Sequence, residues 1–205
     1  RIVTQTDSIT FASLYLMDND TSHISATIID GELERQVVQI DQSGVNLIGL
    51  TIQNGRMQNY GGGIYIGNAA DVSLDRLNIL NNSTYGVSHR GGGISSQNSP
   101  NLRVSNCLIQ GNSSDIGGAI YSGYAGSIVA EGNIIKSNYS ESFGGALSIE
   151  SVQGYFSHNT FIENTTNGEG QAIHLGENSS MDMAFNSIYS SSPSNSTISQ
   201  TSGSN

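Results

Sequence analysis

Histidine and arginine side chains are the first candidates for chemistry in this chain of 205 residues. The pair His89-Arg90 stands just before Gly91, at the end of the longest loop in a repeating sequence, Asn81 to Arg90. Insertions in repeat proteins often form the interaction surface, so this pair is the best candidate for chemistry or binding. The alternative is a solvated surface pair, because charged side chains in loops are usually exposed to water.

Carboxylates are the second candidates, because sugar-cleaving enzymes depend on them. A glycoside hydrolase needs two carboxylates facing one cleft, and a polysaccharide lyase needs acids that bind Ca²⁺ beside a strong base. The acids of the regular repeats are spread out, and none occupies the same repeat position as an acid in the next repeat. They are Asp71, Asp75, Asp115, Glu131, Glu141, Glu150 and Glu163. The sequence therefore predicts no catalytic residues and a protein that is not an enzyme.

Metal and cofactor sites are not indicated either. The other histidines are His23, His158 and His174, and no two of the four have the short spacing of a zinc site. The glycine runs that begin at Gly61 and Gly91 lack the helix and the lysine that follow in a phosphate-binding loop. The sequence predicts no metal ligands and no cofactor.

Two columns of apolar residues show what must position any site. Each column recurs every 26 to 30 residues. The first follows the Gly-Gly-Ala-Ile type of phrase and consists of Ile64, Ile94, Ile120, Leu147 and Ile173. The second consists of Ile52, Ile79, Ile109, Ile135, Phe161 and Ile188. A fixed period of this length is the mark of a solenoid, in which each repeat is one structural unit that stacks on the next.

Each repeat contains three short apolar segments of period two, separated by Gly, Asn and Ser, and this pattern predicts three strands joined by turns. We therefore expect an all-β parallel β-helix of about seven coils, each of 24–30 residues. The predicted β-helix occupies residues 1–189, with degenerate coils at 1–44 and regular coils at 45–189. Residues 190–205 are predicted to be a Ser-rich tail.

The repeats resemble a known family. The phrases at Gly117 and Gly144 (Gly-Gly-Ala followed by Ile or Leu), together with Phe161-Ile-Glu-Asn164, resemble the repeats of polymorphic outer-membrane proteins. They are also similar to secreted repeat proteins of the pectin-lyase-like superfamily. The resemblance implies a right-handed coil, and a function that ranges from surface adhesion to polysaccharide cleavage.

Asparagines recur at two corners of the predicted coil. Asn133, Asn159 and Asn186 precede the second column by two residues and are predicted to form a hydrogen-bonded ladder along the axis. A second group follows the same column by three residues, and each member begins an N-x-Ser/Thr triplet. These residues are Asn82, Asn112, Asn138 and Asn164. They are possible glycosylation sites on one edge of the solenoid, and the alternative is repeated turn asparagines.

Composition indicates an extracellular or cell-surface protein. The chain has 17 acids against 7 bases and a pI near 4.5, and the bases form no patch, so nucleic acid is not an expected partner. No apolar run is long enough to span a membrane. The chain begins at Arg1 without a signal peptide, which predicts that a targeting segment has been removed. The single cysteine, Cys107, excludes an intrachain disulfide and is predicted to pack in a turn.

The function favoured by these patterns is structural. Because the ends of a β-helix expose unpaired strands, copies of the chain are predicted to stack head to tail into a fibre or surface layer. The first alternative is a surface adhesin or carbohydrate-binding protein that uses exposed tyrosines and loop residues to bind glycans. The second alternative is a polysaccharide lyase or hydrolase.

Overall fold

The protein is a parallel β-solenoid, seen in a computed structural model that describes residues 1–68, 71–99, 101–124, 126–191, 196–201 and 203. Each strand pairs in parallel with the strand one coil earlier and the strand one coil later, which builds sheets that run along the solenoid axis. The predicted all-β parallel fold is therefore confirmed.

Four sheets make up the solenoid within the described residues. Sheet A consists of Ile2–Val3, Val38–Ile40, Ile64–Gly67, Ile94–Gln97, Ile120–Gly123, Leu147–Glu150, Ile173–Leu175 and Ile198–Gln200. Sheet B consists of Thr10–Ala12, Asn46–Ile48, Val72–Asp75, Asn101–Ser105, Ser127–Glu131, Gln153–Ser157 and Ser180–Ala184. Sheet C consists of Ile28–Asp30, Thr51–Gln53, Asn78–Leu80, Leu108–Gln110, Ile134–Lys136, Thr160–Ile162 and Ser187–Tyr189. Sheet D consists of Arg56–Tyr60, Ser83–Arg90, Ser113–Ile116, Tyr139–Phe143 and Thr165–Thr166.

Sheet D was not predicted from the sequence. It adds a fourth strand to coils that were expected to contain three. After Met57 in its first strand, the inward positions are small and polar, and they follow one another in register: Thr84, Ser114, Ser140 and Thr166, all buried. A strand that buries hydroxyl groups shows no apolar alternation, so a period-two pattern of apolar residues does not reveal it. Sheet D closes each coil before the chain turns into sheet A at the glycine phrase.

The two apolar columns lie in the core. In sheet A, Ile94 pairs with Ile64 and Ile120, and all five residues of the first column are fully buried. In sheet C the second column is in register from Ile52 to Ile188, and it is buried except at Ile188, which packs partly exposed against the core. Inward residues of sheet B, such as Leu74 and Val104, complete the apolar interior.

The first coils and the last segment depart from the regular pattern. Two one-turn helices, Tyr15–Asp18 and Ser22–Ala26, connect the first strand of sheet B to the first strand of sheet C. Residues 190–205, predicted to be a tail, contain the strand Ile198–Gln200, which pairs with Ile173–Leu175 and extends sheet A. The prediction was wrong for this strand because Ile198 is its single large apolar residue and is separated in sequence from the other apolar residues, so no period-two pattern is visible.

Candidate functional site: a groove outside sheet A

Both asparagine groups form hydrogen-bonded ladders at the corners of the coil, and all members except the half-buried Asn186 are buried. At the corner between sheets B and C, the Nδ2 of Asn133 donates to the Oδ1 of Asn159 at 2.9 Å, and Asn159 donates in the same way to Asn186 at 3.0 Å. The Oδ1 of Asn133 accepts from the backbone N–H of Cys107 at 2.9 Å, so the ladder begins at that cysteine. These amides satisfy backbone groups where the chain leaves one sheet for the next.

The four asparagines considered for glycosylation form the second ladder, so that prediction was wrong. Asn82, Asn112, Asn138 and Asn164 lie at the corner between sheets C and D, with at most 3% of their surface exposed. Each Nδ2 of the first three donates to the Oδ1 of the next asparagine at 2.9–3.0 Å. A glycan must attach to an accessible Nδ2. Here that nitrogen is enclosed and already hydrogen-bonded.

His89 and Arg90 are separated by the alternation of their strand. The segment predicted as a loop ends in the strand Ser83–Arg90, in which His89 is only 6% exposed. Its Nδ1 lies 3.0 Å from the Thr84 Oγ1 and accepts from the backbone N–H of Asp115 at 3.0 Å. His89 therefore joins two strands of sheet D from inside, and its place in the predicted interaction site was wrong. Only Arg90 extends into a groove.

Arg90 covers a tyrosine on the outer face of sheet A. Its guanidinium lies 4.9 Å from the centre of the Tyr121 ring, and its Nη1 donates to the Tyr121 hydroxyl at 3.0 Å. Its Nη2 lies 3.9 Å from the Oε2 of Glu150. A cation over an aromatic face is attracted by the ring quadrupole, and the carboxylate adds a second attraction. Arg90 is thus held by one tyrosine and one glutamate from two later coils.

Glu150 accepts hydrogen bonds on both oxygens. The Tyr121 hydroxyl donates to Oε2 at 2.7 Å, and the Tyr124 hydroxyl donates to Oε1 at 2.9 Å. Burial and the bond to Glu150 raise the pKa of Tyr121, and the bond to Glu150 raises that of Tyr124. Gly123 permits this arrangement, because a Cβ there would lie 2.2 Å from the Tyr121 hydroxyl oxygen.

His174 continues the outer face of sheet A beyond Ser148, with which it is paired in register. Its ring centre lies 4.5 Å from that of Phe143, and its Nδ1 lies 2.8 Å from the Ser199 Oγ. Burial lowers the pKa of His174, and the nearby Glu169 and Glu150 carboxylates oppose this effect without reversing it. The imidazole is therefore neutral near pH 7, since its ordinary value is 6.5.

Arg90, Phe143, Glu150 and His174 line one cavity of about 310 Å³, which we call the sheet A groove. It lies where the ends of the sheet D strands meet the outer face of sheet A. Its lining residues are Arg90, Ile116, Phe143, Ser148, Glu150, His174, Gly176, Glu177 and Thr201. The groove combines aromatic surface with hydrogen-bond donors and acceptors, which is the usual composition of a site that orients a polar ligand.

The comparisons with known proteins identify the fold family. The sequence model described as "Right handed beta helix region" matches residues 7–142 and 36–205. The chain belongs to the right-handed β-helix family. No significant match was found among curated proteins or among solved structures. The right-handed coil and the pectin-lyase-like resemblance inferred from the repeats agree with this membership.

The groove of this β-helix was missed by the sequence analysis, although a signal for it exists. Two of its lining residues, Ser148 and His174, occupy the position directly after a residue of the first column, and Tyr121, which Arg90 covers, holds the same position one coil earlier. Since side chains alternate across a strand, residues that follow buried anchors must share the outer face of sheet A. No acid repeats at the position of Glu150 in neighbouring coils, yet Glu150 lies 3.9 Å from Arg90 of an earlier coil.

Other predicted features have simple places in the fold. Cys107 is fully buried, and burial raises the pKa of its thiol to about 12. Among the described residues, no group of three or more His, Cys, Asp or Glu side chains could hold a metal ion. Neither helix in the described part of the chain has the length and apolar character needed to cross a membrane.

Proposed function

We propose that this right-handed β-helix binds carbohydrate in the sheet A groove. The observation that supports the proposal is the cluster of Arg90, Tyr121, Glu150 and His174 beside the Phe143 ring. Sugar hydroxyls need donors and acceptors at close spacing, and sugar C–H faces pack on aromatic rings. A linear glycan also matches a groove that follows neighbouring coils of a solenoid.

We propose that the groove binds glycans without cleaving them and that the protein acts outside the cell or on its surface. Both oxygens of Glu150 already accept phenolic hydrogen bonds, so this residue is not placed to give a proton to a leaving group. The low fraction of charged residues, 12%, and the acidic pI near 4.5 support an extracellular setting.

A glycan array followed by titration calorimetry tests the proposal. Glu150→Gln should weaken binding of an array hit about tenfold or more, because a hydrogen bond to a charged group is worth about 1.5–3 kcal/mol. Glu131→Gln is the matched control, since Glu131 is paired with Arg103 at 2.7 Å on sheet B, away from the groove. Equal losses in both variants, or no array hit, would refute the proposed function. Reducing ends released from a bound glycan would show cleavage instead.

A second candidate function is end-to-end association with other copies of the chain. It is supported by Ile198, which continues the inward column of Leu147 and Ile173 in sheet A and is 40% exposed. Parallel strands at the two ends have matching directions, so a second copy could extend sheets A, B and C.

Electron microscopy tests this second candidate. Filaments with a subunit repeat of roughly 34 Å, from about seven coils at the strand spacing, would support stacking. Single particles at the highest soluble concentration would refute it.

A further inference from the structure

The charges around the sheet A groove identify a class of ligand, on the premise that the proposed carbohydrate binding is correct. We infer that the groove selects a glycan that carries ammonium groups over one that carries carboxylates. Three carboxylates lie in or beside it. Glu150 and Glu177 line the cavity, and Glu169 lies close enough to His174 to act on its charge.

The one cation of the groove is already occupied. Arg90 is bonded to the Tyr121 hydroxyl, lies over the Tyr121 ring and approaches Glu150 at 3.9 Å. Its Nε has no hydrogen-bond partner among the described residues, but this atom is buried and a ligand cannot reach it. The positive charge of Arg90 is therefore balanced by Glu150 before any ligand arrives.

The remaining acids, Glu169 and Glu177, have no ion-pair partner among the described residues, since no Lys, Arg or His nitrogen there lies within 4 Å of either carboxylate. His174 lies close enough to Glu169 to feel its charge, but burial lowers the pKa of the imidazole and keeps it neutral near pH 7. The groove is thus negative overall, in a chain whose net charge is −10.

A negative groove discriminates by the charge of the sugar substituent. A uronate carboxylate placed near Phe143 and His174 would face Glu177 and Glu169 without a free cation to meet it. An ammonium group at the same place would donate charge-assisted hydrogen bonds to Glu177 or to the open lone pairs of Glu150. The sugar ring would keep the same contacts in both cases, so the substituent decides the preference.

Three oligosaccharides of equal length test the inference by calorimetry near pH 7: oligomers of glucosamine, of N-acetylglucosamine and of galacturonate. We expect the glucosamine oligomer to bind about tenfold more tightly than its N-acetyl counterpart, the size of one charge-assisted hydrogen bond. The galacturonate oligomer should bind most weakly. Added salt should narrow the difference, because it screens charges that face solvent.

The variant Glu177→Gln should lower affinity for the glucosamine oligomer more than affinity for the N-acetyl oligomer. Glu131→Gln removes one charge from sheet B and should leave the preference unchanged. A galacturonate oligomer that binds as tightly as the glucosamine oligomer would overturn the inference while leaving carbohydrate binding intact. If none of the three binds, the inference also fails, and array hits with other sugars would decide whether the proposed function survives.

Discussion

Replacing Asn112 by alanine measures what one rung of a buried ladder contributes to stability. The Asn112 side chain donates to the Ile79 carbonyl and to the Asn138 Oδ1, both at 3.0 Å. Its own Oδ1 accepts from the backbone N–H of Asn82 at 2.9 Å and from the Asn82 Nδ2 at 3.0 Å. Asn112→Ala removes all four bonds and takes away the acceptor that the Asn82 N–H uses inside the corner.

The expected loss of unfolding free energy is about 4 kcal/mol. Each net hydrogen bond contributes about 1 kcal/mol, and an orphaned buried donor adds a cost of about 1–3 kcal/mol. In the variant, the Asn82 Nδ2 still donates to the Ile52 carbonyl at 3.2 Å, and the Asn138 Oδ1 still accepts from the backbone N–H of residue 112. The loss is therefore smaller than the sum of four hydrogen bonds and the largest cost of an orphaned donor. A loss of this size is a large part of the stability of an ordinary domain.

Urea unfolding followed by circular dichroism measures this loss. Asn167→Ala is the matched control, because the Asn167 side chain makes one exposed bond, to the Tyr139 hydroxyl at 2.7 Å. We expect the control to lose less than about 1 kcal/mol. If Asn112→Ala is no more destabilised than Asn167→Ala, the ladder is not a source of stability and the argument is wrong.

Three further predictions concern buried groups. Burial raises the pKa of the Cys107 thiol to about 12, so the thiol should not react with a thiol reagent at neutral pH until denaturant unfolds the solenoid. Labelling of the folded protein would contradict the burial of Cys107. The pKa of His174 is lowered in the folded state, so as pH falls the unfolded chain binds the proton before the folded protein does. The stability of the protein should therefore fall as pH drops below 6.5. In thermal melts, His174→Gln should reduce this dependence of stability on pH. Ser122 is fully buried beside Ser96, and neither hydroxyl has a hydrogen-bond partner among the described residues. Ser122→Ala should therefore raise the free energy of unfolding by about 1 kcal/mol and shift the urea midpoint upward. A lower midpoint would show that the hydroxyl is satisfied.

The sequence was sufficient to locate sheets A, B and C because their inward residues are large and apolar. Ile94 or Ile109 has no stable place except the interior, and recurrence at a fixed period aligns each with its counterpart in the next coil. Sheet D escaped detection because Ser114 and Ser140 are buried at the equivalent positions. A small hydroxyl residue can be inside or outside a strand, so its type carries little information about burial.

The asparagines also show that residue type and spacing do not determine whether a side chain is buried. Their spacing placed both groups at corners, but residue type and spacing alone did not distinguish an exposed N-x-Ser/Thr site from an internal ladder. The difference depends on which way each side chain turns at the corner. Asn138 turns inward, where its amide meets the Ile109 carbonyl at 3.0 Å and the Asn164 Oδ1 at 2.9 Å.

The sheet A groove required information that no single repeat contains. Arg90 ends a sheet D strand, Tyr121 lies in the next coil and Glu150 in the coil after that, so their contact depends on the register of three coils together. Equivalent positions in successive repeats reveal a core because the same residue type recurs. A binding site combines different residue types from neighbouring coils, so Glu150 does not stand out as a repeated acid.

The alternation of sheet A also separates the stability of this β-helix from the chemistry of its groove. Ile120 and Ser122 face the interior, whereas Tyr121 between them lies on the outer face, where it is covered by Arg90 and hydrogen-bonded to Glu150, two residues that line the groove. Substitutions at outward positions therefore change what the groove can bind while the apolar column continues to hold the coils together. Gly123 is the exception, since a side chain there would displace the Tyr121 ring and with it the hydrogen bond to Glu150. The shape of the groove thus depends on one residue that has no side chain to contribute to binding.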